Sequence, residues 1–405
     1  MFITSLNMER ESIFKNLPTE LVFIISNYHP AALISLAGEK KYDWFKLIKM
    51  NFGLSYCRDV CSNEEIMKVY LDRCKTEKSR IVYTKDSSSM IRLFDGTLLS
   101  CKDNWHDEDR FKNNHDRNIF FEIRKLSGSI ANIFYGRYHA MIILTDGRLM
   151  SCGLNNYGQL GLGNKKNRSL FFEVGVKNIA QVACGQHHTI IRLMDGTLMG
   201  SGSNCFGQLG LGDEEDRKIF TEIKDIVAED VVCGASHTII RLRDGTLMSC
   251  GLNFDGQLGL GDNKRRVLFE VIKIDKNIVD IVCGANHTFI RSTDGLLMSC
   301  GGNFFGQLGH GDYNYRHSFE RIPIKERNIA ELICCDRQTI IILTDGTLMT
   351  CGNGYEQPKK NRYHFEKTAS PKNIEELISN FSRTIIKFTD GKLMSSNRII
   401  HPEII

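Results

Sequence analysis

The dipeptide Asp-Gly recurs along most of this chain at nearly constant spacing. The aspartates of the series are Asp95, Asp146, Asp195, Asp244, Asp294, Asp345 and Asp390, and the intervals between them are 51, 49, 49, 50, 51 and 45 residues. Such a period indicates repeated supersecondary units, each of which buries its apolar face only against its neighbours. The sequence after residue 80 therefore predicts a repeat architecture.

Each repeat contains enough β-type segments for four strands. Residues 279–312 show most of one unit, VDIVCGANHTFIRSTDGLLMSCGGNFFGQLGHGD, in which two short runs flank Asp-Gly. This pattern predicts a hairpin closed by a type I′ turn, because Asp-Gly tolerates positive φ at both central positions. An apolar run before Cys-Gly (278–282) and a Phe-Glu-x-Ile run after the preceding glycine loop (269–272) add two strands. Four strands in roughly 50 residues predict a propeller blade.

A glycine loop, Gly-Gln-Leu-Gly, follows the hairpin in four copies. Its copies span residues 158–161, 207–210, 256–259 and 306–309. Together with the repeat length, these residues resemble the regulator of chromosome condensation repeat family. The resemblance covers residues 80–405 and implies an all-β fold, a seven-bladed β-propeller. The first, sixth and seventh copies lack the loop, so we expect those blades to keep their strands with altered loops.

Histidine and cysteine recur inside the repeat and could suggest a metal site. The histidines lie seven residues before Asp-Gly, and the cysteines lie eleven before it: His139, His188, His237 and His287, and Cys184, Cys233, Cys283 and Cys334. Each Cys-x-x-x-His pair belongs to a different blade, whereas tetrahedral zinc needs four convergent ligands. We therefore expect no metal, reduced and buried cysteines, and His-Thr hydrogen bonds that tie neighbouring blades together.

Basic side chains gather in the loops after the hairpin. They are Arg117, Lys165, Lys166, Arg168, Arg217, Lys264, Arg265, Arg266 and Arg316. In a ring of blades these loops emerge on one face, which makes them candidates for a partner-binding rim that binds an anion or a nucleic acid. Carboxylates in the same loops, such as Glu214, Glu215 and Asp216, favour the alternative of a mixed, solvated rim.

No catalytic set is evident, and no cofactor is predicted. The glycine loop has the spacing of a phosphate loop, but Gln stands where that loop requires Lys followed by Ser or Thr. We expect a binding scaffold and not an enzyme. The formal net charge of +4 makes nucleic acid an unlikely partner, and no apolar run reaches the roughly 18 residues of a membrane span. The absence of a secretory pattern predicts a cytoplasmic or nuclear protein.

The first eighty residues follow a helical pattern. Apolar residues recur at three-to-four spacing after a proline, and Leu-Pro-x-Glu-Leu, Leu-x-x-Leu and a later Trp resemble the F-box. The resemblance covers residues 14–50 and implies a small α-helical domain that docks on a Skp-type adaptor of a cullin complex. The implied contact or core positions are Leu17, Pro18, Leu21, Ile25, Leu33 and Trp44. Residues 51–79 form a predicted helical linker. A helical cap on the propeller is the alternative.

Two functions from different classes follow from these features. The first is a substrate-recognition adaptor of a cullin-based ubiquitin ligase, in which the F-box-like segment recruits the ligase and the propeller rim (residues 80–405) binds an unidentified protein substrate. The alternative is a guanine-nucleotide exchange factor or regulator of a small GTPase, which is the activity of the protein that gives the repeat family its name. The near-constant repeat length leaves little room for a protruding exchange element.

Overall fold

The described residues form antiparallel β-sheets. The computed structural model describes residues 130–275, 277–353 and 362–367 with their side chains and, beyond these, the strands bounded below. The chain divides into two compact units, Met1–Ile81 with Ile91–Leu99, and Val82–Met90 with Ser100–Ile405. The predicted helical regions 14–50 and 51–79 lie outside the described residues, except that Ser79 begins a strand and not a helix. Within the described part every regular element is a strand, so no helix there could cross a membrane.

Four strands pair in chain order in most of the sheets. One sheet contains β1 (Ser79–Tyr83), β2 (Ser89–Leu93), β3 (Leu98–Cys101) and β4 (Phe120–Glu122), and another contains β5 (Ile130–Tyr135), β6 (His139–Leu144), β7 (Leu149–Gly153) and β8 (Arg168–Val174). Three further sheets contain β16 (Ile278–Cys283), β17 (His287–Ser292), β18 (Leu297–Gly301) and β19 (Arg316–Arg321); β20 (Ile329–Cys334), β21 (Gln338–Leu343), β22 (Leu348–Asn353) and β23 (Asn361–Lys367); and β24 (Ile374–Ser379), β25 (Thr384–Phe388), β26 (Leu393–Ser395) and β27 (Arg398–Ile400).

One long strand joins two repeats into a seven-stranded sheet. This sheet contains β9 (Ile179–Cys184), β10 (His188–Leu193), β11 (Thr197–Gly202), β12 (Arg217–Cys233), β13 (His237–Leu242), β14 (Leu247–Gly251) and β15 (Arg266–Val271). The first part of β12 pairs with β11, and its second part, from Ala228, pairs with β13. The strand therefore closes one four-stranded unit and opens the next. The prediction of four strands per repeat is confirmed for the described repeats.

The hydrophobic core lies between neighbouring sheets. One cluster joins Phe289, Leu297 and Leu308 of one repeat to Leu332 and Ile341 of the next, and all five are buried. Clusters of the same kind fill the spaces between the other described repeats. The first strands of successive repeats also lie side by side. The described part is thus an all-β, propeller-like repeat fold, in which each sheet buries its faces against its neighbours.

The Asp-Gly hairpins form as predicted, but the predicted type I′ turn is wrong. Gly245 has φ +87°, whereas Asp244 has no positive φ. The Gly245 N–H donates to the Leu242 carbonyl at 3.0 Å, and the Leu242 N–H donates to the Thr246 carbonyl at 2.9 Å. This is the pattern of a three-residue loop, a type I turn followed by a left-handed glycine. The Asp244 carboxylate accepts a hydrogen bond from the Thr246 N–H at 2.9 Å, and such bonds favour Asp before the glycine.

Candidate functional site

Two sets of connections lie at the same end of the sheets because the strands are antiparallel. One set joins the first and second strands, at residues 136–138, 185–187, 234–236, 284–286 and 335–337. The other set contains the glycine loops, at residues 154–167, 203–216, 252–265 and 302–315. We call this surface the loop face. It gathers the predicted rim residues after residue 130, and the Asp-Gly turns lie at the opposite end of each sheet.

Buried His-Thr hydrogen bonds connect successive repeats beneath the loop face. His139 Nε2 lies 2.7 Å from Thr189 Oγ1, and His188 Nε2 lies 3.2 Å from Thr238 Oγ1. The corresponding distances are 3.1 Å for His237 and Thr288 and 3.2 Å for His287 and Thr339. The predicted His-Thr ties between blades are confirmed.

The threonine hydroxyls determine which ring nitrogen of each histidine carries the proton. The Thr189 hydroxyl donates to the Gln159 carbonyl at 2.9 Å, and Thr238 donates to the Gln208 carbonyl at 2.7 Å. Each hydroxyl must therefore accept from a protonated histidine Nε2, which leaves Nδ1 without a proton. Burial lowers the pKa of each of these histidines to about 3, so the rings are neutral. They serve packing and not proton transfer.

The buried cysteines are also unsuited to act as nucleophiles or metal ligands near neutral pH. Cys152, Cys184, Cys233, Cys283 and Cys334 are buried. Burial raises the pKa of the Cys152 thiol to about 12 and that of the Cys184 thiol still further. Nucleophilic attack and metal binding both require the thiolate. No group of three or more His, Cys, Asp or Glu side chains that could hold a metal ion exists in the described part of the chain.

The glycine loop uses its polar side chains to hold its own conformation. Asn253 Oδ1 accepts from the Leu258 N–H at 3.0 Å, and its Nδ2 donates to the Asp262 carbonyl at 2.9 Å. Gln257 Oε1 accepts from the Asp255 N–H at 3.0 Å. The glutamine that replaces the phosphate-binding lysine is therefore an internal support for the loop.

Most of the predicted rim cations pair with carboxylates of the same face. Arg217 lies 2.5 Å from Asp213, and Arg266 and Arg316 each lie 2.8 Å from the aspartate four residues before them, Asp262 and Asp312. Arg266 also lowers the pKa of Asp262 through its hydrogen bond. These short-range pairs hold the loop ends and leave little net positive field.

The remaining rim residues are more varied. Lys165 pairs with Asp216 at 2.9 Å, Arg265 pairs with Glu214 at 2.6 Å, and Arg168 lies 4.5 Å from the centre of the Phe172 ring. Arg117 lies outside the described residues. The structure thus mixes both charge signs along the rim, and partner binding by these residues stays a prediction.

The loop face also exposes aromatic side chains that the sequence analysis missed. The residue before Gly-Gln-Leu-Gly is Tyr157, Phe206, Asp255 or Phe305 in the four described loops. The ring of Tyr157 lies 4.9 Å from that of His187, and the Arg337 guanidinium lies 4.6 Å from the centre of the Phe305 ring. One position earlier, Phe254 and Phe304 are 60% and 67% exposed. The sequence signal that could have identified these positions is that they vary between copies, whereas the rest of the loop motif is constant.

This combination of stacked four-stranded sheets, buried inter-repeat bonds and variable surface loops defines a repeat protein of the propeller-like class. Residues 130–307 consist of regulator of chromosome condensation (RCC1) repeats. Two profiles of this repeat match the sequence, one at residues 146–191, 195–240 and 244–290 and the other at residues 130–159, 179–208, 228–257 and 278–307. These matches do not reach the F-box-like residues 14–50.

Solved structures of this type share the fold. Yeast RCC1 (Prp20) in complex with Kap60 superposes with a TM-score of 0.66 at 14% identity, covering 80% of this chain and 81% of that chain. Prp20p from Saccharomyces cerevisiae, in a structure reported with its binding properties to Gsp1p and histones, gives 0.65 at 15% identity, with 80% and 83% covered. Human WBSCR16 gives 0.61 at 17% identity, with 69% and 78% covered. A search of curated protein sequences finds no match.

Proposed function

We propose that this chain is an interaction protein that binds and regulates a small GTPase through its loop face. The observation that carries the proposal is that three of the four described glycine loops expose an aromatic side chain within the two positions before Gly-Gln-Leu-Gly, namely Tyr157, Phe254 and Phe304. Aromatic residues and arginine are enriched in protein interfaces, where they contribute most of the binding free energy. A loop-borne aromatic row on a rigid sheet scaffold suits the binding of a folded protein.

The state of the titratable side chains supports binding over catalysis. The repeated histidines are neutral and committed to threonine hydroxyls, and the buried thiols are protonated. A general base needs a pKa near the working pH and access to substrate, and these groups have neither. We therefore propose that any effect on a bound partner comes from contacts at the surface.

The fold likeness favours a small GTPase as the partner class. The structure of Prp20p from Saccharomyces cerevisiae is reported with binding to Gsp1p and histones. Of these partners, Gsp1p is the small GTPase, and the near-neutral rim of this chain suits it better than a nucleic acid or a strongly charged surface. We propose the cytosol or the nucleus as the compartment.

We also propose that seven four-stranded units form the blades of one propeller. The unit that ends in the first part of β12 and the unit that begins in its second part count as two blades. The sheets β1–β4 and β24–β27 would supply the first and last blades. A closed arrangement of this kind protects sheet edges, which otherwise pair with other chains.

The proposal can be tested with yeast Gsp1 loaded with fluorescent GDP. We expect the full chain to bind Gsp1 and change its rate of nucleotide release. The variant Tyr157→Ala/Phe254→Ala/Phe304→Ala should bind at least about tenfold more weakly, because it removes the exposed anchors. The matched control is Leu170→Ala/Ile219→Ala/Leu268→Ala, which removes three exposed apolar side chains from the fourth strands. Absence of Gsp1 binding, or an equal loss in the control, would contradict the proposal.

A second candidate function is the ubiquitin-ligase adaptor, and the Leu-Pro-x-Glu-Leu motif favours it. Its residues, Leu17, Pro18 and Leu21 among them, lie outside the described part of the structure, and this function stays a prediction. The test is co-purification from a eukaryotic lysate, scored for a Skp-type adaptor and a cullin. The intact chain should recover both, and Leu17→Ala/Pro18→Ala/Leu21→Ala should recover neither. Failure of the intact, folded chain to recover either protein would contradict the adaptor function.

A further inference from the structure

One position of the loop face carries a carboxylate where the equivalent repeats carry an aromatic ring. Three of the four residues before Gly-Gln-Leu-Gly contact the turn between the first two strands of the following repeat. Tyr157 packs on His187, Phe305 packs on Arg337, and Asp255 accepts a hydrogen bond from Asn286 Nδ2 at 3.0 Å. Among the four described loops, only the one with Asp255 has a charge at this place.

The described surroundings of Asp255 include polar side chains but no lysine or arginine that pairs with its carboxylate. Its carboxylate is half-buried, and burial raises its pKa above the usual range. Asn286 is neutral, and the titratable neighbours are Tyr315 and His317 at the start of the next fourth strand. No Lys or Arg of the described residues forms an ion pair with Asp255, whereas Asp213, Asp262 and Asp312 on the same face each pair with an arginine.

The adjacent aromatic side chains suit a guanidinium group. Phe254 and Phe304 are the most exposed aromatic residues of the described surface and lie in the loop of Asp255 and in the next loop. Elsewhere in the fold, arginines stack on phenylalanines: Arg337 lies 4.6 Å from the centre of the Phe305 ring, and Arg168 lies 4.5 Å from that of Phe172. A planar guanidinium can stack on a ring and bind a carboxylate at the same time, which an ammonium group does less well.

We propose that Asp255 receives an arginine side chain of the protein partner, with Phe254 and Phe304 flanking its guanidinium. The inference rests on the proposed role of the loop face in protein binding and names the chemistry that the partner presents there. The partner's guanidinium group supplies the cation that no lysine or arginine of the described residues places beside Asp255. Because the Asp255 carboxylate is half-buried, the ion pair is partly screened from water and contributes to specificity.

The experiment uses a peptide probe and therefore does not depend on any GTPase. Acetyl-Gly-Arg-Gly-amide is titrated into the deuterated full chain, and TROSY spectra follow the amide resonances of Asp255, Asn286 and Gly302. We expect a saturable shift at these resonances. The same peptide with citrulline, which keeps the shape and loses the charge, should bind at least about fivefold more weakly. The lysine peptide should be weaker than the arginine peptide.

Two variants separate the carboxylate from general charge effects. Asp255→Asn keeps an acceptor for Asn286 and removes the charge, so it should abolish the saturable shift with an unchanged melting temperature. Glu229→Gln, which removes an exposed carboxylate on β12, should behave as the unaltered chain. Equal binding of the arginine and citrulline peptides, or retention of the shift in Asp255→Asn, would overturn the inference. Absence of Gsp1 binding together with a charge-dependent peptide shift would instead contradict only the choice of GTPase.

Discussion

At the scale of single residues, four described repeats hold a buried histidine in its neutral form. Four buried imidazoles donate from Nε2 to threonine hydroxyls of the following repeat, and their Nδ1 atoms have no hydrogen-bond partner. Protonation would place a charge at Nδ1 in a site without a carboxylate acceptor, which is why burial lowers the pKa so far. The bonds that connect the repeats are therefore sensitive to acid.

This arrangement predicts loss of stability on mild acidification. An unfolded histidine has a pKa near 6.5, and the folded value is about 3 for His139, His188, His237 and His287. Below pH 6.5 the unfolded chain binds more protons, so stability is fully present above pH 6.5 and falls as the pH decreases towards 3. Each histidine contributes a slope of up to about 1.4 kcal/mol per pH unit. Urea unfolding between pH 7.5 and 4.5 measures the effect.

Another repeat of the same chain shows which residue can replace the histidine in the control variant. Gln338 occupies the histidine position in β21 and is buried. His237→Gln should therefore fold and reduce the pH slope by about a quarter, since it removes one of four equivalent groups. An unchanged slope in this variant would show that other groups cause the acid sensitivity.

The glycine of Cys-Gly makes room for the same imidazole. A Cβ atom at Gly234 would lie 1.9 Å from Cε1 of His237, and one at Gly185 would lie 2.1 Å from Cε1 of His188. We expect Gly234→Ala to lower the free energy of unfolding by at least about 2 kcal/mol, because the ring must leave its rotamer or the strand must shift. Gly175→Ala is the control, since no atom lies within 4 Å of its Cβ position. It should change stability by less than about 0.5 kcal/mol, and equal losses in the two variants would argue against steric fit at the imidazole.

At the scale of the elements, the Asp-Gly hairpin shows what the sequence could and could not predict. The alternating runs around Asp294 and Asp244 predicted the strand pairs correctly, because period-two burial and Asp-Gly are local signals. The turn type was wrong because Asp-Gly suits both a two-residue turn and a three-residue loop with a left-handed glycine. The His-Thr hydrogen bonds were predictable because both residues recur at a period of about 50 residues. The contacts of Tyr157 with His187 and of Asp255 with Asn286 could not be predicted, since they depend on how adjacent repeats are rotated relative to each other.

The turn type has a direct mutational test. Gly245 has φ +87° and open space around its Cβ position, so Gly245→Ala should lose about 1 kcal/mol from the left-handed conformation alone. Gly245→Asn should lose less, because Asn adopts this conformation more readily. Asp244→Gly should lower the melting temperature, since Asp244 has no positive φ and binds the Thr246 N–H. A gain in stability from Asp244→Gly would instead favour the type I′ turn.

At the scale of the whole molecule, the described repeats are connected at three levels. Beneath the loop face lie the His-Thr bonds, and between the sheets lie the apolar clusters. At the outer edge, a glycine-loop N–H of each repeat donates to the fourth strand of the next, as from Gly212 to the Val267 carbonyl at 2.9 Å and from Gly261 to the His317 carbonyl at 2.8 Å. These last bonds cover part of each edge strand, which limits pairing with other chains. A repeat bonded at three levels should not open without its neighbours.

Cysteine labelling tests this cooperativity because buried thiols lie in every described repeat. Of the ten cysteines in the described part, Cys205 is exposed and the other nine are buried. Under native conditions a maleimide should modify Cys205 rapidly, with Cys205→Ser as the control. The buried nine should react together at the slower rate of global opening, since burial makes their thiols inaccessible to the reagent. Peptide mass spectrometry over time gives the rate at each site. Much faster labelling of Cys334, Cys335 and Cys351 than of Cys184 and Cys233 would show that repeats open independently, and that bonds between neighbours do not combine into one cooperative unit.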